Sequence, residues 1–207
     1  MNFTYHNQKL QAFLEEHRKK GEEIWKAVSS NQSARDLPLE LKAWIAEHPE
    51  ISLYDFFETL TGVAQGSGIP LDLTYRTVHF LPVAMETLYG FQKKNGAQDL
   101  KTLQSMPKYL AAYLTILAMN EHNCWFKIKS FPQGRQGLPL WSDRYSIMTG
   151  KKRSLDLLPA CTEALTFGTL LSKNGFTLRM EPVVDAYREI TGVDLSELGL
   201  QNLYVNG

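Results

Sequence analysis

Cysteine is scarce in this chain. Cys124 and Cys161 are its two examples, and no C-x-x-C pair exists to suggest a thiol-redox motif or a zinc knuckle. Isolated thiols of this kind fit a reducing, cytoplasmic setting. Long apolar runs are missing too. The most apolar stretch, Tyr109 to Met119, falls far short of the ~20 residues a membrane helix needs. Met1 to Gln11 is too polar for a secretory leader. The expectation is a soluble cytoplasmic protein with no membrane partner.

Several motifs of chemistry are lacking as well. The five histidines, His6, His17, His48, His79 and His122, show no H-x-x-x-H or H-E-x-x-H spacing, so no metal site is expected. No G-x-G-x-x-G fingerprint occurs. Thr149-Gly150-Lys151-Lys152 lacks the earlier glycine and the following hydroxyl residue of a phosphate-binding P-loop. No cofactor is expected. Net charge is also missing, with 22 basic and 22 acidic side chains, which argues against a wholly basic nucleic-acid binder.

What the chain does have is helical periodicity. Leu10, Leu14, His17, Gly21, Ile24 and Val28 alternate spacings of four and three, the seam of one long amphipathic helix. Gly21 weakens that helix by about 1 kcal/mol relative to alanine, which suggests a close neighbour. Pro38 precedes a short helix carrying Leu41, Trp44 and Ile45. Ser52 and Asp55 have capping-box spacing for a helix through Leu53, Phe56, Phe57, Leu60 and Val63. A pattern from Leu73 to Phe91 contains Pro82, which either kinks one helix or starts another. Pro107 suits the first turn of an apolar helix through Leu110, Leu114 and Leu117.

After residue 121 the rhythm changes. Trp125 to Ser130, Tyr145 to Met148 and Phe176 to Met180 alternate apolar and polar residues, and could form one small antiparallel sheet. A helix is expected from Asp156 to Lys173, closed by Asn174-Gly175. Another starts at Glu181-Pro182 and ends at Gly192, followed by an Asp194/Glu197 capping box. The last seven residues read as a tail. The expected fold is mainly α, a single helical domain over 1–207 with a small antiparallel β-element in the second half. It divides into a helical part (1–121), a basic β and loop part (122–181), and C-terminal helices with a tail (182–207).

Neutrality conceals a segregation. Residues 1–60 have net charge −3, residues 122–155 have +6 and residues 156–207 have −4. The basic block contains Lys127, Lys129, Arg135, Arg144, Lys151, Lys152 and Arg153 against one acid, Asp143. Trp125, Trp141 and Tyr145 lie among these cations. Cations that follow phosphates and rings that stack on bases suit an anionic polymer such as single-stranded nucleic acid. The same block would equally fold against the acidic helices of its own chain.

Three functions follow. The first is a non-enzymatic helical binding module that contacts a protein or an anionic, nucleic-acid-like partner through residues 122–155. The second is a cysteine-dependent hydrolase or transferase using Cys124 with His122, two places away and on the same side of a strand. That reading needs a partly exposed thiol of depressed pKa. The third is an assembly subunit that uses the 10–28 helix seam as its interface. Cys161, spaced three and four from Leu158 and Leu165, reads as core.

Overall fold

A computed structural model describes residues 3–31, 38–94, 105–122, 124–128, 145–148, 154–169 and 172–205. Helices α1 (Gln8–Asn31), α2 (Leu39–Glu47) and α3 (Ile51–Gly66) come first. A 3-10 turn, Val78–Phe80, leads into α4 (Leu81–Lys94), and α5 (Met106–Glu121) follows. Then come strands β1 (Trp125–Ile128), β2 (Tyr145–Met148) and β3 (Ser154–Leu155). The chain ends with α6 (Leu157–Ala164), β4 (Leu165–Thr169), β5 (Ser172–Leu178), α7 (Glu181–Thr191) and β6 (Leu203–Val205). The fold is mainly α, with antiparallel β-structure in the second half, as expected.

Helix α5 is the axis of the molecule. Every residue from Leu110 to Asn120 is buried. A helix apolar all round must be covered on all sides. Helix α3 covers one side and α6 another, with α4 and α1 adding contacts. Helix α7 then packs on α6. The buried apolar side chains form one contiguous cluster running from Leu10 to Leu200.

The α1 seam faces the chain's own α3. Leu10, Leu14 and His17 are buried, so this part of the seam is not on the surface where a second subunit would need it. A Cβ built on Gly21 would lie 3.5 Å from Tyr54 Cε1, an ordinary van der Waals contact. Helix α3 does approach there, but it leaves room for a methyl group.

Local signals place most helix ends. Pro82 is the second residue of α4 and Pro107 of α5, positions where a missing N–H is harmless. Asp156 caps α6 by accepting from the Leu158 N–H at 3.0 Å. Gly192 has φ 83° and its N–H donates to Arg188 O at 2.8 Å, closing α7. The capping box expected at Ser52 does not form. Helix α3 begins at Ile51, and Ser52 Oγ donates to Pro49 O at 2.7 Å.

The β-structure departs from expectation in three places. Helix α6 ends at Ala164, where the pattern had run on to Lys173. Leu165 to Thr169 instead pair as β4 with β5. Phe176 to Leu178 therefore do not join β1 and β2. There are two three-stranded sheets among the described residues, ordered β1-β2-β3 and β4-β5-β6. The supposed tail supplies β6, with Leu203 opposite Leu178 and Val205 opposite Phe176. Asn202 fastens this return: its Oδ1 accepts from Met180 N at 2.7 Å and its Nδ2 donates to Glu181 Oε1 at 2.9 Å.

Candidate functional site

The residues singled out in the sequence start at the C-terminal end of α5. The chain leaves that helix at His122, turns, and enters β1. Cys124 N–H donates to His122 O at 2.8 Å, which tightens the turn. The Cys124 side chain is buried at 3% exposure, and burial pushes its thiol pKa up. This is the opposite of the exposed, readily ionised thiol that a nucleophile needs. Among the described residues no hydrogen bond joins that thiol to a histidine.

The ring of His122 is engaged elsewhere. Its Nε2 is hydrogen-bonded to Tyr75 Oη, and Tyr75 Oη lies 3.0 Å from Tyr187 Oη. Tyr75 comes from the turn before α4 and Tyr187 from α7, so three distant segments meet here. His122 is half-buried, and desolvation lowers its pKa. Burial pushes the Tyr75 phenol up to about 12 and raises that of fully buried Tyr187 as well. All three groups are therefore neutral near pH 7. The arrangement is a chain of hydrogen bonds among neutral groups.

A second cluster forms where β1 meets α1. Phe13 wedges between the two elements. Its ring meets Trp125 edge-on at 5.9 Å and Phe126 at 5.7 Å. One helical turn before Phe13, Lys9 places its Nζ 4.1 Å from the centroid of the Trp125 ring, within cation–π range. Lys127 is two residues beyond Trp125 on the strand, so both side chains leave the same face of β1. Lys127 is exposed. The pair of lysines and the indole thus make a cation–aromatic face.

Lys127 is the one cation of the basic block among the described residues. Lys129, Arg135, Arg144, Lys151, Lys152, Arg153 and Trp141 lie outside them. Tyr145 opens β2 opposite Ile128. Cys161 is fully buried, as its spacing implied. Lys9, Tyr75 and Tyr187 were not singled out as site residues. Lys9 had a usable signal, since it precedes Phe13 by four on one helix face. Tyr75 had none, because its partners are distant in the chain.

Among the described residues, no group of three or more His, Cys, Asp or Glu side chains is placed to hold a metal ion. No described helix is long and apolar enough to cross a membrane. No protein-family model matches the chain, and no curated protein or solved structure resembles it significantly.

Proposed function

We propose that the protein is a non-enzymatic binding module for an anionic polymer, engaged through the face of β1 and the basic segment that continues from it. The observation that carries this reading is the placement of Lys9 over the Trp125 ring beside exposed Lys127. Trp125 holds the Lys9 ammonium at the surface, and two cations then flank one strand. The net +6 of residues 122–155 extends the same sign along the chain. Phosphates tracking such a face would release condensed counterions, so affinity would depend steeply on salt.

The alternative, a cysteine enzyme built on Cys124 and His122, has less support. Burial opposes thiolate formation at Cys124, and the His122 ring is already bonded to Tyr75.

Fluorescence anisotropy with a labelled single-stranded oligonucleotide tests the proposal. Binding is expected at low salt, with affinity falling on a straight line in log Kd against log salt. Removing both Lys9 and Lys127 by alanine substitution should reduce that slope by about 1–2. No binding at low salt, or a slope unchanged by the double substitution, would refute the proposed face.

A further inference from the structure

Helix α4 turns an unusual face outward. Val83 is 46% and Phe91 55% exposed, and both lie on one side of the helix with Thr87, Gly90 and Lys94. Between α3 and α4 runs an open, mainly apolar groove of about 560 Å³, with Gly62, Gly66, Gly90 and Phe91 on its walls. Gly90 sits in the interior of α4, where glycine weakens a helix by about 1 kcal/mol relative to alanine. Among the described residues nothing requires it there. A Cβ built on Gly90 meets no atom within 4 Å.

A glycine that no described neighbour requires makes sense where another backbone comes close. We infer that the α4 face is the contact between two copies of this chain. The two copies of α4 would cross antiparallel about a two-fold axis at Gly90, with each Phe91 directed at the other copy's glycine-walled groove. Charge selects a second copy as the occupant. Glu86 and Lys94 stand four residues to either side of Gly90, both exposed and neither ion-paired among the described residues. In an antiparallel crossing, residues equidistant from the centre meet. Glu86 of each copy therefore comes to the height of Lys94 of the other, twice per dimer. The surface is self-complementary, as a two-fold contact demands. A patch of one helix face and one groove is smaller than a standard interface of about 1,600 Å² in total. The dimer is accordingly weak and reversible, in the micromolar range.

Sedimentation velocity of the full chain, from about 1 to about 200 µM at low ionic strength, tests this directly. The sedimentation coefficient should rise reversibly from monomer to dimer. Gly90→Gln adds bulk at the crossing while improving helix propensity, so the variant should melt no earlier than the parent. Its dimerisation should nevertheless weaken by about tenfold or more. Glu86→Lys and Lys94→Glu should each weaken it about 3- to 10-fold, and the double exchange should restore it. The inference is overturned by a strict monomer over the whole range. It is also overturned by a dimer indifferent to Gly90→Gln and to the single charge reversals, or by a double exchange that fails to recover.

Discussion

Two junctions stand side by side at the end of α5, and they are built on opposite principles. At the first, Asn120 is buried at 3% exposure and binds mainly backbone, with one longer bond from its Nδ2 to Glu121 Oε1 at 3.4 Å. Its Nδ2 donates to Thr4 O at 2.9 Å and Leu73 O at 3.1 Å, while its Oδ1 accepts from His6 N at 3.0 Å. Asn7 adds a bond to Met119 O at 2.9 Å. The N-terminal segment, the Leu73 turn and α5 are thereby tied mainly through backbone groups, which do not titrate, with the His6–Glu121 pair at 3.3 Å beside them. Leu73 holds φ 66° at that turn while its side chain stays fully buried, an uncommon conformation that the surrounding contacts must enforce. At the second junction, two residues on, His122, Tyr75 and Tyr187 are joined through side chains alone, and two members, His122 and Tyr75, are partly open to water. The first behaves as a clamp. The second can respond to pH.

The largest expected effect breaks the clamp. Asn120→Leu leaves three backbone groups without their partner, and each unsatisfied buried group costs about 1–3 kcal/mol. Partial access to water tempers the sum, so a loss of about 2–4 kcal/mol is expected in urea unfolding. A loss below about 1 kcal/mol would show that the segment 3–7 is held by other means.

A smaller effect sharpens the contrast through pH. The folded pKa of His122 is lowered by desolvation, below its ordinary value of about 6.5. On acidification the unfolded chain binds the proton first. The stability associated with neutral His122 is therefore full above about 6.5 and is lost as pH falls through the lower folded value. Asp55 acts oppositely. Partial desolvation of its carboxyl, followed by the neighbouring Glu58 charge, pushes its pKa up to about 6 although the residue reaches the surface, so the folded chain takes up that proton first. Protonation of Asp55 then adds stability as pH falls through about 6 toward the ordinary carboxylate value. Subtracting a His122→Gln variant isolates the histidine. The stability advantage of the parent over the variant should shrink between pH 7.5 and pH 5. An advantage that is flat or grows on acidification would contradict the assignment.

The smallest effect concerns Cys124. Iodoacetamide should label it far more slowly in the folded protein than in urea, because the thiol is buried and its ionisation suppressed. Equal rates in the two states would reopen the cysteine-enzyme reading.

The helices were legible because their signals are local. Periodic leucines marked α1, α3 and α5, and Pro82, Pro107 and Gly192 marked boundaries without help from the rest of the fold. The second sheet was not legible for the converse reason. Leu158, Cys161 and Leu165 satisfy a helical spacing, yet Leu165 is the first residue of β4, because pairing with β5 decides its conformation. Leu203 to Val205 are too few to show alternation, and their strand exists only because β5 offers an edge. The same division runs through the candidate site. Trp125 and Lys127 could be read as a cation beside an aromatic ring. That Lys9, from the opposite end of the chain, completes their face depends on α1 packing beside β1 through Phe13.

Amide chemical shifts recorded while a single-stranded oligonucleotide is titrated in at low salt test the proposed binding face most directly. Perturbations should concentrate at Lys9 to Phe13 and at Cys124 to Ile128, leaving α4 unmoved. Shifts confined to other helices, or none at saturating oligonucleotide, would contradict the account.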